Sequence, residues 1–429
     1  MNTSQPIILT NAIITDGYSW LIPDATIDIR DGRFVFVGPT RDYSGSTSGA
    51  INIQGRLVLP GLLNPHHHLY SALATGLAPV GPMTHFTQIL ANLWWRLDCV
   101  LDEETIYYSA LSGLIQSVRY GVTTVFDHHA SMRHMRGSLG LIEKAFQTVG
   151  IRGVLCYEIS DRMGAAAVQE QIDENLQFWE NHRNHPEIQG LLGLHANFTL
   201  GEPTMELLQD VKPPDMPIHI HCGEDQTDLR YCVTQGFAGP VDRLHRFGLL
   251  DQNSLLAHCI HLSATDYALI SDLRPVVISN PESNANNRVG VMDLSQIDDY
   301  MLGTDGMTGN ILGTLRSHYL LRQGEISDPL QMMFTRPAQL IQRFFPDCGR
   351  LAPGYRADLA ITDYIPVTEI TLGNLFYHLV FGVQGRPMFA TLANGKMLYS
   401  DHTLQHLDEI RLSTQIRQAA QQLHRRYYE

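Results

Sequence analysis

Three consecutive histidines, His66, His67 and His68, close an apolar run of the sequence. In a β-strand, residues two apart share a face. His66 and His68 can therefore reach one metal ion while His67 points elsewhere. His219 and His221 form a second alternating pair at the end of another apolar run, and Glu224 follows three residues later. A metal ligand with a carboxylate just downstream suits a bound water, because a metal lowers the water's pKa and a carboxylate can take its proton. His258 ends a further run, and Asp305 another, in the stretch LGTDG. A buried aspartate closing an apolar strand is costly unless it meets a metal or another partner. Taken singly, these residues read as a polar loop, a solvated acid and an Asp-Gly turn. His and Asp at four separate strand ends are hard to explain as turns, and together they read as a metal site.

Such residues need a scaffold that gathers strand ends. Eight short apolar runs supply one: 57–68, 123–129, 152–158, 188–196, 216–222, 253–259, 274–281 and 301–306. Most end in polar or ionisable residues, and helical patterns lie between them. Apolar runs alternating with helices predict parallel strands buried on both faces. Eight of them predict a (β/α)8 TIM-type barrel of the α/β class, with its active site at the carboxyl ends of the strands. The clearest helix covers 102–120, where Asp102 can cap, Glu103 and Glu104 suit the first turn, and Gly121 suits the exit. Asp31-Gly32 and Asn394-Gly395 each join two alternating runs and predict hairpins near the two ends of the chain. The stretch 356–364 is another strand candidate. The expected organisation is a small β-sandwich domain built from 1–58 and 346–402, a barrel over 59–345, and an amphipathic helix over 403–429.

Composition narrows the partners. The chain has 429 residues, with 44% hydrophobic and 17% charged, which is a globular balance. Lys+Arg number 30 against 44 Asp+Glu, a net charge of −14. Phosphate backbones and anionic lipid surfaces would repel such a chain, so neither nucleic acid nor a membrane is an expected partner. The six cysteines form no CxxC pair. No signal peptide and no apolar segment long enough to span a bilayer is read. A cytoplasmic protein with reduced thiols is the expectation.

The blocks PGLLNPHHH (60–68), HIHCGE (219–224), LAH (256–258) and GTDG (303–306) resemble the amidohydrolase superfamily. The similarity covers nearly the whole chain. It is to the aminohydrolase branch, which holds guanine, cytosine and adenosine-derivative deaminases and triazine hydrolases. LWWRLD (93–98), LDEE (101–104) and DHHAS (127–131) resemble the aminohydrolases encoded beside selenium-dependent purine hydroxylases in bacteria. The resemblance implies His66, His68, His221 and Asp305 as metal ligands and Glu224 as a proton shuttle between water and leaving group. It implies His258 as the residue that polarises the attacked carbon's substituent or orients the water, and His195 as a substrate-binding histidine. The bridging lysine of two-metal relatives is not visible, so one metal is expected. Zinc is the default for three His and one Asp with an open position for water; iron and manganese are alternatives. Relatives are often dimers, and a homodimer is expected. The HxE…PCxxC signature of the cytidine-deaminase fold is absent. Two departures bear on substrate contacts. Asn197 stands where relatives commonly have proline, and Glu282 where the closest have a basic residue.

Four other positions carry two readings each. Trp94 and Trp95 either stack on a flat heterocycle or pack in the core. His129 either faces the pocket or lies behind it. Arg162 either grips an anionic group or makes a salt bridge. Cys222 and Cys259, beside the proposed site, are expected to pack as small apolar groups. The expected reaction is metal-dependent hydrolytic deamination of a small, purine- or pyrimidine-like heterocycle, with release of ammonia. One rival is ring opening of a cyclic amide at the same site. A rival of another class is a non-catalytic binding protein that retains the fold.

Overall fold

The computed structural model describes residues 6–429. Its centre is a ring of parallel strands: β1 (Leu62–His67), β2 (Val122–His129), β3 (Arg152–Tyr157), β4 in two halves (Ile188–Gly190 and Leu192–Ala196), β5 (Ile218–Cys222), β6 (Leu255–His258), β7 (Val276–Ser279) and β8 (Met301–Leu302). Neighbours pair in sequence order. The break inside β4 falls at Leu191. The first half of β4 pairs with β3 and the second with β5, and an Ile159–Leu194 bridge continues the ladder across the seam. A His67–Asp305 bridge joins β8 back to β1. At that closing seam, the amide of Asp305 donates to the carbonyl of His66 at 3.0 Å.

Helices between the strands cover the outside, as a parallel sheet requires. Helix α1 (Glu103–Arg119) begins with a capping box, in which Asp102 accepts from the Thr105 amide and Thr105 answers to the Asp102 amide. It leaves through Gly121, at φ +82°. The amphipathic tail forms helix α2 (Glu409–Tyr428). Its buried Ala419, Leu423 and Tyr427 lie against the barrel. No helix of the described residues is long and apolar enough to cross a membrane.

Both ends of the chain supply a second, mixed sheet. Its order is Thr403–Leu404, Lys396–Ser400, Met388–Ala393, Leu359–Thr362, Leu57–Pro60, Ile7–Thr15, Leu21–Arg30, Arg33–Pro39, with Ile51–Asn52 beside Ile7–Thr15. Leu9, Ile14, Ile27, Val58, Leu359 and Leu392 are among the side chains of its separate core. Both expected hairpins form, each with positive φ at its two turn residues: Asp31 (49°) and Gly32 (79°), Asn394 (51°) and Gly395 (67°). That conformation is why Asx-Gly occupies them. The two turns also meet: a β-carbon on Gly395 would lie 2.5 Å from the Gly32 Cα.

The run 57–68 reads as one strand in sequence, and the structure divides it. Leu57–Pro60 belongs to the terminal sheet and Leu62–His67 to the barrel. Gly61 is the crossing point, where a β-carbon would meet Thr123 Oγ1 at 2.3 Å. A buried ion pair ties the two cores nearby. Arg152 of β3 reaches Asp358 and also donates to Asn394 Oδ1 at 2.5 Å.

Candidate active site

Strand alternation sorts the three histidines. The His67 ring leaves the site, and its Nδ1 donates to the backbone carbonyl of Asp305 at 2.7 Å. The rings of His66 and His68 stay together, with centroids 4.9 Å apart. His68 Nε2 lies 2.8 Å from Asp305 Oδ1 and 3.1 Å from His221 Nε2. His66 Nε2 lies 3.3 Å from the same Asp305 oxygen. Four side chains from β1, β5 and the end of β8 therefore converge on one point.

Their other nitrogens show what that point requires. His68 Nδ1 donates to the His128 carbonyl at 2.6 Å, and His221 Nδ1 donates to the His195 carbonyl at 2.9 Å. His66 Nδ1 lies 2.9 Å from His219 Nε2. Each ring is thus pinned at Nδ1 and presents Nε2 inward, the arrangement that outer partners impose on metal-binding histidines. His66 Nε2 is buried without a hydrogen-bond partner. Burial lowers His66 to about 3 and pushes His221 well below the ordinary histidine range, so both are neutral donors. Burial would lower His68 as well, but the Asp305 hydrogen bond and charge, with Glu158 behind, raise it to about 9. The cluster is built to hold positive charge between these nitrogens and the carboxylate. Three imidazoles and one carboxylate fit a divalent ion with a position left for water.

Two groups bring four ligand atoms within 4.8 Å of one another: His66, His221, His258 and Asp305, and beside them His68, His128, Glu158 and His221. The second is not an independent site. His68 and His221 each have one free nitrogen, already aimed at Asp305. His128 is engaged at both ends, by Glu158 Oε1 at 3.2 Å and the His219 carbonyl at 3.0 Å.

Glu224 and His258 face this cluster from β5 and β6. Glu224 Oε2 lies 3.6 Å from His258 Nε2, and its Oε1 accepts from Asn287 Nδ2 at 3.1 Å. Burial raises the Glu224 carboxyl to about 7 against the opposing pull of His258, with the Asp305 charge adding to the rise. A carboxyl near neutrality suits a group that must both take and give a proton. His258 Nδ1 donates to Asn284 Oδ1 at 2.7 Å, which turns Nε2 toward Glu224 and Asp305. His258 and Asp305 sit at φ 75° and 52°. Non-glycine residues in that region cost of order 1–3 kcal/mol each and persist only where surroundings enforce them.

A cavity of about 50 Å³ opens on these groups, walled by Trp94, Trp95, Phe86, Tyr70, Asp98, Glu158 and His195 among others. Both tryptophans that had two readings thus line it. His195 lines it too, held by Thr199 Oγ1 at 2.8 Å from Nδ1. His129 does not. Alternation along β2 sends His128 toward the barrel axis and His129 to the other face, where Nε2 meets Ser131 Oγ at 2.9 Å. Arg162 stands one layer back: it pairs with buried Asp98 at 2.8 Å and lies over the Trp95 ring at 5.1 Å. Both departures from the family pattern also fall off the cavity wall. Asn197 receives Arg243 on its backbone carbonyl at 3.0 Å. Glu282 accepts from Thr314 and Ser317 on the following helix. Cys222 and Cys259 are fully buried free thiols.

Several participants were not singled out in the sequence. Glu158, at 2% exposure, sits beneath His68, His128 and His195. Burial would raise its carboxyl, but the His128 hydrogen bond and the three histidines hold it below the usual range. Its signal was present: it closes the third apolar run, as His66 and Asp305 close theirs. Ser283 donates to Asp305 Oδ2, and Asn287 donates to Glu224. They lie four residues apart on the short helix Pro281–Asn287, and Ser and Asn there carry no distinctive pattern.

The chain is similar to known proteins over nearly its whole length. A 5-methylthioadenosine/S-adenosylhomocysteine deaminase of Desulfitobacterium hafniense is 27% identical over 419 residues, covering 93% of this chain and 94% of that protein. A 5'-deoxyadenosine deaminase of Methanobrevibacter smithii is 26% identical over 447 residues, covering 98% and 99%. The crystal structure of an adenosine deaminase from Xanthomonas campestris with bound zinc superposes with a TM-score of 0.82 at 19% identity, covering 97% and 98%. The sequence profile of the Amidohydrolase family matches residues 57–399. A match over most of its length shows that the chain belongs to the amidohydrolase family.

Proposed function

We propose that the protein hydrolytically deaminates a purine-type substrate, with adenine nucleosides as the first candidates, using one zinc ion held by His66, His68, His221 and Asp305. The observation that carries this reading is the convergence of those four side chains with Glu224 and His258 on one small cavity. The names of the relatives support the substrate class.

When bound, a divalent metal supplies Lewis acidity and makes water a nucleophile near neutral pH. The residues do the rest. Glu224 takes a proton as the water attacks the amino-bearing ring carbon and returns it to the departing nitrogen, so ammonia leaves neutral. His258, fixed by Asn284, points Nε2 at the same space and orients the water or the developing oxygen. Asp305, held by Ser283, can accept the second proton and pass it to the ring nitrogen beside the attacked carbon, so the oxo product also leaves neutral. Trp94 and Trp95 offer apolar faces for a flat ring, and His195 contributes a polar edge.

The test is a panel on zinc-loaded protein. 5'-Deoxyadenosine, 5'-methylthioadenosine, S-adenosylhomocysteine and guanine are scored for ammonia, and cyclic ureides and lactams for ring opening. Ammonia from a purine is the expected result. Turnover confined to ring opening would replace the deaminase reading and leave the metal site intact. No turnover of any substrate would favour a non-catalytic role.

A further inference from the structure

The catalytic cavity is not the largest hollow. A cleft of about 550 Å³ lies behind the β8–β1 seam, between helix α1, helix α2 and the loop that follows Asp305. Specific small-molecule sites fall in the range of roughly 300–1,000 Å³. Ile115, Leu412 and Ile416 give it an apolar wall, and Arg119 and Arg417 bring cationic heads to it. Arg119 pairs with Glu409, whereas Arg417 makes no ion pair among the described residues. Arg417 is an exposed cation beside this apolar wall, which Glu409 also lines.

The cleft shares Ser71, Trp94, Gly306 and Met307 with the catalytic cavity. His67 forms part of its wall, with Nε2 on the Gly113 side and Nδ1 on the Asp305 carbonyl. The same imidazole therefore touches the cleft and the backbone of the residue that carries the shared carboxylate.

We propose that this cleft binds a small organic carboxylate with an apolar body, its charge on Arg417, and that occupancy is transmitted to Asp305 through His67 and the 306–308 loop. The link to Asp305 rests on the metal reading above; the binding site does not. An apolar body would cover the half-buried Leu412 and Ile416 beside the buried Ile115. A group seated against Met307 and His67 would restrict the loop that positions Asp305.

The experiment uses the full zinc-loaded chain, titrated calorimetrically with sodium hexanoate and, separately, with inorganic phosphate. Hexanoate should bind saturably and phosphate should not. Arg417→Ala should weaken hexanoate at least tenfold, and Ser413→Trp, which fills the cleft from the exposed side of α2, should abolish it. Both changes lie on a solvent-facing helix, and both variants should keep wild-type zinc content. No saturable hexanoate binding would overturn the site, as would equal affinity in wild type and both variants. Phosphate binding as tight as hexanoate would overturn the ligand class. Hexanoate should also slow zinc loss to a chelator; an unchanged rate would overturn the link to Asp305, whatever the protein's substrate proves to be.

Discussion

Glu224→Gln isolates the proton-transfer role with little change of shape. The amide fills the volume of the carboxylate, and its oxygen can still accept from Asn287 Nδ2, now 3.1 Å from Oε1. Glu224 contributes no atom to the His66, His68, His221 and Asp305 convergence, so the metal should stay. What is lost is the ability to take a proton. General acid–base catalysis contributes roughly 10²–10⁴-fold, and at about 1.36 kcal/mol per tenfold the barrier should rise by about 3–5 kcal/mol. Removing the carboxyl also relieves a group that burial holds near neutrality, so the variant should fold at least as stably as the parent. The assay pairs elemental analysis with ammonia release from 5'-deoxyadenosine or whichever panel purine is turned over. The expected result is unchanged zinc, an unchanged melting temperature or a higher one, and kcat reduced at least a hundredfold. A variant with full zinc that kept more than about a tenth of the rate would show that another group moves the proton.

Metal content should be near one per chain, because His68 and His221 each have a single free nitrogen; a reproducible value of two, with both ions required for turnover, would refute the tautomer argument. Ser283→Ala should leave Asp305 Oδ2 without its hydroxyl donor. Loss of a hydrogen bond to a charged group is worth about 1.5–3 kcal/mol, and it should appear as faster zinc loss to a chelator; an unchanged rate would remove Ser283 from the site. Arg152→Met should strand buried Asp358 between the two cores. Breaking a buried pair from one side costs about 3–5 kcal/mol, readable by denaturant titration, and a loss below about 1 kcal/mol would show the pair to be dispensable. Truncation after residue 402 removes Tyr427, which is fully buried and whose hydroxyl donates to the Asn92 carbonyl at 2.8 Å. That should loosen the segment carrying Trp94 and Trp95 and raise KM more than it lowers kcat; a soluble truncation with unchanged kinetics would refute that coupling.

What was legible in the sequence and what was not divides along one physical line. Strand ends were legible, because an apolar run stopping at a charge or an imidazole is a local pattern, and the barrel brings such ends to one mouth. That is how His66, His68, His221, Glu224, His258 and Asp305 come together although 239 positions separate the first from the last. The sides of strands were legible only where alternation was applied strictly. The rule that separates His67 from His66 and His68 also separates His128 from His129. Applied there, it turns His128 inward to Glu158 and sends His129 to Ser131. Glu158 ends its run as Asp305 does, but its partners come from β1, β2 and β4, so its role shows only in the fold. Least legible were the backbone carbonyls that fix the ring nitrogens. The carbonyls of His128 and His195 choose which nitrogen of His68 and His221 faces the metal. No side-chain identity encodes a carbonyl, so only the fold sets the tautomers of His68 and His221. The metal affinity of this site therefore depends on strand register between β1 and β2, and between β4 and β5, as much as on the four residues that would touch the ion.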